Sequence, residues 1–245
     1  MDQYRDFARL YDPLMRDVDY DAWSEYLLTL LGGQSLAVVD CACGTGAITL
    51  RLARAGHRLT GIDISGEMLF YAQEKARDFG FRIPFVQQDM RSFEVHRPVD
   101  AVISACDGVN YLTSLADASR FFDCAYRALK PAGKLLFDIS SRRKLETVVG
   151  NSTFGEDDGE HAYLWRNAYD EKTKLIRMDL TFFERQGELY RRFTETHLQR
   201  AHSERELMPR LEKAGFIDIR AYAAFETAPP SPDEERIQFI AQKPN

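Results

Sequence analysis

The residues with chemical potential are concentrated in one short run, Val38-Val-Asp-Cys-Ala-Cys-Gly-Thr-Gly46. An apolar segment ends there in a carboxylate, and a turn of small residues leads into a helix-forming stretch. Small residues let backbone approach a ligand closely, and the first turn of a helix offers unpaired N–H groups. A second apolar segment ends at Asp63, 17 positions beyond Gly46. In open α/β sheets that spacing sets an acid against the two hydroxyls of a ribose. Glycine turn and acid together call for a nucleoside ligand at the carboxyl end of a sheet.

The kind of nucleoside follows from what surrounds the turn. Gly44-Thr-Gly46 is followed by Ala47, Ile48 and Thr49, so the third small residue of a dinucleotide fingerprint is missing. Asp40 would repel a pyrophosphate but suits a ligand carrying an amino acid's ammonium. A phosphate-binding G-x-x-x-x-G-K-[ST] loop does not occur. Cys41 and Cys43 form a Cys-x-Cys pair without the remaining ligands of a tetrahedral metal site, so they read as small core residues and no metal is expected.

The surrounding elements must position these groups. Apolar runs alternate with amphipathic ones through the first half: strands at 36–40, 58–63, 84–88, 99–105 and 134–139, with helices at 47–55, from Ser65 to about Phe79, and about 116–128. That rhythm is the signature of βαβ units and a parallel sheet. Lys130-Pro-Ala-Gly133 reads as a tight turn. Beyond Ser140 the pattern changes to strand alternation from Tyr163 to Gln199, with turns at Asp170-Glu-Lys-Thr and Arg185-Gln-Gly-Glu. We read it as an antiparallel meander of about three strands, preceded by a short helix near 143–148 and an acidic loop, 155–160. Ser203 and Glu206 have capping-box spacing for a helix ending at Gly215. Two closing strands, 217–225 and 236–242, flank a proline-rich loop. Upstream, Tyr20–Leu31 reads as a helix with Trp23 and Leu27 on one face, and Tyr4, Phe7 and Tyr11 suggest a shorter amphipathic segment before it.

With these motifs in order, the chain resembles the class I S-adenosylmethionine-dependent methyltransferases. Asp40-Cys-Ala-Cys-Gly-Thr-Gly46 looks like their D-x-G-x-G-x-G loop, and Gly61-Ile-Asp-Ile-Ser65 like their ribose-binding turn. Gln88-Asp-Met90 looks like the adenine-holding segment. Asp100 to Leu112 resembles their fourth strand and following loop, and Leu129-Lys-Pro-Ala-Gly-Lys134 the turn before their fifth. The resemblance implies a Rossmann-like α/β fold: a seven-stranded, mostly parallel sheet with helices on both faces, plus the inserted antiparallel meander. It implies S-adenosyl-L-methionine as cofactor, held by Tyr11, Asp40, Ala42, Gly44, Gly46, Asp63, Ile64, Met68, Asp89, Met90 and Cys106. Residues 1–140 and 200–245 would form the cofactor-binding domain, with 1–33 as a helical lid and 141–199 as a substrate-covering insertion. Bacterial glycine and amino-sugar N-methyltransferases share that general plan.

The expected reaction is methyl transfer to a small acceptor at nitrogen or oxygen. Tyr11 reads as a contact to the sulfonium region or as lid packing, while Asn110 and Tyr111 follow the fourth strand toward the transfer zone. His197 alternates with Glu195 and Gln199 on one strand face, which reads either as a solvent-facing polar strip or as a catalytic base. Tyr11, Tyr111 and His197 are thus the catalytic candidates. The family's first loop glycine is Ala42 here, acceptable where φ is negative. That departure supports a second reading, a cofactor-binding sensor or partner subunit without catalysis. A nicotinamide-dependent oxidoreductase is disfavoured by Asp40 and the missing third glycine.

Bulk composition sets further bounds. The 245 residues carry a formal net charge of −6, with 44% hydrophobic and 29% charged residues. An acidic balance argues against a nucleic-acid grip, which needs clustered Lys and Arg. No stretch reaches the roughly 18 apolar residues of a spanning helix, and the N-terminus lacks the pattern of a secretory signal. Cys41, Cys43, Cys106 and Cys124 read as reduced thiols of a cytoplasmic protein, with a monomer or a homodimer equally compatible.

Overall fold

The structure is a computed structural model that describes residues 8–245; Tyr4 and Phe7 lie outside the described residues. Strands β1 (Ala37–Cys41), β2 (Arg58–Asp63), β3 (Phe85–Gln87), β4 (Val99–Ser104), β5 (Leu129–Ser140), β10 (Ile217–Ala223) and β11 (Arg236–Gln242) form one sheet. Their order is β10-β11-β5-β4-β1-β2-β3. Neighbours from β3 to β5 run parallel, and β11 is antiparallel to both β5 and β10. The chain proceeds from β1 to β2 and β3, then returns to β4 on the other side of β1. That reversal opens a crevice at the carboxyl ends of β1 and β4, the place where such sheets bind ligands.

Helices cover both faces because the central strands β1, β4 and β5 are buried on both sides. On one face, α2 (Tyr20–Leu31) and α3 (Ala47–Arg54) pack Trp23, Leu27, Ile48 and Leu52 against Val38, Ile103 and Leu136. On the other, α5 (Leu115–Ala128) and α6 (Glu204–Ala214) bring Phe121, Phe122 and Leu207 against Phe137 and Phe239. Phe137 stacks on Phe239 with ring centroids 4.7 Å apart. Each fully buried ring of this kind contributes about 1.5–3 kcal/mol through removal of apolar surface from water. Helix α4 (Gly66–Asp78) lies beside β3, and its first turn is fixed by Ser65, whose Oγ accepts from the Met68 N–H at 3.2 Å.

Between β5 and α6 the chain builds a second, four-stranded antiparallel sheet: β6 (Thr153–Asp157), β7 (His161–Asp170), β8 (Leu175–Gln186) and β9 (Leu189–Arg200). The expected three strands are therefore four. The acidic segment expected as a loop forms β6 and the turn after it. All five β6 residues are exposed, so no apolar alternation marks the strand, and its carboxylates keep an open sheet edge from pairing further. The short helix near 143–148 is a π-helical turn, Lys144–Val148. Lys130-Pro-Ala-Gly133 is an irregularity within β5: the register jumps from Val99↔Leu129 to Ala101↔Lys134.

The capping box at Ser203 is not formed either. The Ser203 side chain caps no helix N–H but meets Glu206 Oε2 at 3.1 Å, because the Glu206 carboxylate is drawn to Arg142 at 2.6 Å and Lys174 at 3.1 Å. Ahead of the large sheet, α1 (Ala8–Leu14) packs Ala8 and Leu10 into a cluster with Met68 of α4 and with Phe182 and Phe193 of the small sheet. No described helix is long and apolar enough to cross a membrane.

Candidate active site

The crevice at the tips of β1 and β4 contains a cavity of about 300 Å³. Its floor is the glycine turn after β1. Gly44 and Gly46 adopt φ of +54° and +77°. A side chain on Gly44 would meet only open space, whereas one on Gly46 would press on Ala72 and Phe85 at 3.2–3.3 Å. Gly44 therefore faces the ligand space. Gly46 is absent from the cavity wall and serves the packing of α3 on α4. Ala42 has φ +57°, not the negative value expected of an alanine. The turn forces it into the left-handed region, where an L side chain costs about 1–2 kcal/mol. Cys106 and Asp107, at the opposite lip, adopt φ of +59° and +56°. Backbone strain of this kind persists where surrounding structure over-determines it, as ligand clamps do.

Two carboxylates dominate the electrostatics. Asp63, at the end of β2, accepts from the Gly44 N–H at 2.8 Å through one oxygen and from the Ser65 N–H at 2.9 Å through the other. Burial raises its pKa, and those N–H groups oppose the rise. Asp40 is buried and accepts from Thr49 Oγ1 at 2.6 Å. Burial pushes its pKa up to about 7, with Thr49 opposing and Asp63 adding. A buried carboxylate partnered by one hydroxyl fits a ligand that brings positive charge.

Tyr11, Asp40, Ala42, Gly44, Asp63, Ile64, Met68, Asp89, Met90, Cys106 and Tyr111 all line this cavity, so the sequence candidates converge on it apart from Gly46, Asn110 and His197. The Asp89 carboxylate is engaged by Arg91, whose Nε lies 2.9 Å from both oxygens. That contact, the largest influence on it, holds Asp89 below the usual carboxylate range.

His197 is buried, which removes the solvent-facing reading. Its Nδ1 lies 3.3 Å from the Tyr111 hydroxyl and its Nε2 3.5 Å from Glu195 Oε2. It thus stands behind Tyr111, one layer from the cavity. Asn110 does not face the cavity. Its amide donates to the carbonyls of Ser140 (3.0 Å) and Arg200 (2.9 Å), and its oxygen accepts from the Ser140 N–H (2.9 Å). Cys41 and Cys43 belong to different apolar clusters of the core.

Sequence reading missed Tyr20, which lines the wall beside Tyr11 and shares a side-chain hydrogen bond with it. Burial raises the pKa of both phenols, keeping them neutral. Nothing local marks Tyr20 as a site residue, because as the first residue of an amphipathic helix it looks like packing. Thr45, Gln88 and Arg91 also reach the cavity from motifs whose other members were recognised.

Comparison with known proteins agrees with this geometry. Residues 38–133 match a family model described as a methyltransferase domain. A putative methyltransferase of Bacillus subtilis (strain 168), YqeM, is 40% identical over 241 residues, covering 98% of this chain and 97% of its own. A glycine/sarcosine N-methyltransferase of Halorhodospira halochloris is 28% identical across 97% of this chain and 87% of its own. Among solved structures, an S-adenosylmethionine-dependent methyltransferase from Clostridium acetobutylicum ATCC 824 superposes with a TM-score of 0.89 at 31% identity, covering 99% of each chain.

The protein is an enzyme of the methyl-transferring class, built on a Rossmann-like sheet and using S-adenosylmethionine. The chain belongs to the class I S-adenosylmethionine-dependent methyltransferases.

Proposed function

We propose that the protein methylates a small-molecule acceptor at nitrogen or oxygen by in-line transfer. The observation that carries this reading is the chain Tyr111–His197–Glu195, which begins at the cavity wall and ends within the small sheet. A hydroxyl or ammonium acceptor must lose a proton on methylation, and this chain offers that proton a place to go. The name of the glycine/sarcosine relative adds support for an acceptor of modest size.

When bound, the cofactor supplies a methyl carbon already activated on a sulfonium. The protein's own residues have three tasks. Asp63 receives the ribose hydroxyls, Asp40 the amino acid's ammonium, and Asp89 with Met90 the adenine. Ala42, Gly44 and Cys106 follow the methionine part, with Ile64 and Met68 against the adenosyl group and Gly46 shaping the turn. Tyr11 and Tyr111 line the transfer zone, where alignment and exclusion of water supply much of the rate. His197 acts through Tyr111 and is a positioning residue. We assign the lid to residues 1–33, of which 8–33 are described, and the substrate-covering insertion to 141–199, against a cofactor-binding domain of 1–140 and 200–245. The four cysteines are free thiols, and we assign the reaction to the cytoplasm, where thiols stay reduced.

Two measurements test the proposal. Calorimetry should show S-adenosylhomocysteine binding and NAD failing to bind, with Asp63→Ala weakening the former by at least about 100-fold, just under the lower bound of about 3 kcal/mol for two hydrogen bonds to a charged group. Transfer of a labelled methyl group should favour small amines or phenols over RNA and protein, and Tyr111→Phe should lower turnover by about 10²-fold with cofactor affinity unchanged. Label appearing in macromolecules alone would remove the small-acceptor reading.

A further inference from the structure

We propose that Asp12 is the positioning residue that seats α1, and with it Tyr11, over the bound cofactor. The inference rests on the assignment of the cavity above to that cofactor. Helix α1 has seven residues and contains Pro13. A helix so short has no independent stability and stays where tertiary contacts hold it. On its apolar side, Ala8 and Leu10 lie in the cluster that includes Met68, Phe182 and Phe193. Asp12 binds the two elements that enclose the crevice: Oδ1 accepts from Thr45 Oγ1 at 2.6 Å, and Oδ2 from Lys75 Nζ at 2.7 Å. Thr45 sits between Gly44 and Gly46 in the ligand-facing turn, and Lys75 belongs to α4. One carboxylate thus ties α1 to the glycine turn and to α4 together, while the adjacent Tyr11 enters the cavity.

The two partners differ in consequence. The Lys75 contact is a part-exposed ion pair, with side-chain exposures of 27% and 43%, and such pairs contribute little. Thr45 is 1% exposed, so loss of its acceptor strands a buried hydroxyl. The ion pairs of Arg9 with Glu184 and of Arg16 with Glu156 and Asp158 run to the small sheet and not to the turn. Release of cofactor from under α1 requires the Asp12–Thr45 bond to open. Its strength therefore enters the residence time of the ligand, beside that of the apolar cluster.

Variants separate this role from simple bracing. Asp12→Ala should speed release of S-adenosylhomocysteine, followed by stopped-flow tyrosine fluorescence, at least ten-fold. That factor corresponds to about 1.4 kcal/mol. Asp12→Asn keeps an oxygen for Thr45 and should restore near-native release, as should Lys75→Met, whereas Thr45→Val should match Asp12→Ala. Combining Asp12→Ala with Thr45→Val should add little beyond either alone, the mark of one shared interaction. Melting of the ligand-free protein should change little in any of them, because the seven-residue α1 then comes away locally, water reaches Thr45, and the cost falls on the seated state alone. If Asp12→Ala instead lowers the ligand-free melting temperature and leaves release unchanged, Asp12 is only a brace and the proposal fails. If Asp63→Ala binds S-adenosylhomocysteine as tightly as the native protein, the cavity assignment itself fails, a result distinguishable from the first.

Discussion

At the scale of single residues, the site is built from side chains held in states they would avoid elsewhere. Ala42 occupies the left-handed region in a turn where its relatives' pattern has glycine. Ala42→Gly should relieve that strain, less the added freedom glycine gives the unfolded chain, for a net gain of about 0.5–1 kcal/mol. The midpoint of urea unfolding should rise accordingly; an unchanged or lower midpoint would show the turn to be relaxed. Asp40 is the second case. Its folded pKa of about 7 stands above the ordinary aspartate value of 3.8, so between those limits the ligand-free fold retains a proton that the unfolded chain has lost. Stability from this group therefore declines as pH rises through that window. A bound ammonium favours the carboxylate, so S-adenosylhomocysteine affinity should weaken below about pH 7, approaching ten-fold per pH unit, with a proton released on binding. Calorimetry in buffers of different ionisation enthalpy measures that proton, and Asp40→Asn should abolish the pH dependence. The carboxylates, the glycines and Tyr111 were legible because each sits at a fixed offset within a local motif. Tyr20 and Asp12 were not, since their importance comes from partners far along the chain.

At the scale of elements, one carboxylate gathers several segments at the junction between the small sheet and the rest. Glu206 at the start of α6 meets Arg142, Lys174 and Arg200, which come from the segment after β5, the β7–β8 turn and the end of β9. Burial acts to raise its pKa, but Lys174, Arg142 and Ser203 together hold it down to about 2. A carboxylate depressed in the fold stabilises above its unfolded value of 4.5, and that contribution is lost as pH falls from there toward 2. Glu206→Gln should cost about 2 kcal/mol at pH 7, reduced from the value for a fully buried network by its partial exposure. The loss should shrink as pH falls below 4.5, to somewhat under half near pH 3, and vanish only below about pH 2. A pH-independent loss in chemical denaturation would show that packing, not charge, is what the variant removes. The same residue explains why the sequence misled at this helix. Ser203-x-x-Glu206 has the spacing of a cap, but Arg142 and Lys174 from distant segments, with the nearby Arg200, outcompete the local backbone N–H. Strand β6 escaped notice for a related reason: an exposed edge strand of Thr, Phe, Gly, Glu and Asp carries no apolar period to read.

At the scale of the whole molecule, the parallel sheet was nearly complete in the sequence, because β1, β2 and β4 are apolar runs bounded by local turn signals. The relation between the two sheets was not, because it rests on side chains brought together only by folding. Asn110 shows what that relation entails. A single amide holds the backbone of Ser140, where the chain leaves the large sheet, and of Arg200, where it comes back. The two stalks of the insertion are thereby stapled side by side. Whatever lies between them need only begin and finish at neighbouring points, so its length and strand count are free of the scaffold's geometry. Such an arrangement lets one cofactor platform carry interchangeable roofs, and a shift of acceptor would need a new roof rather than a new foundation.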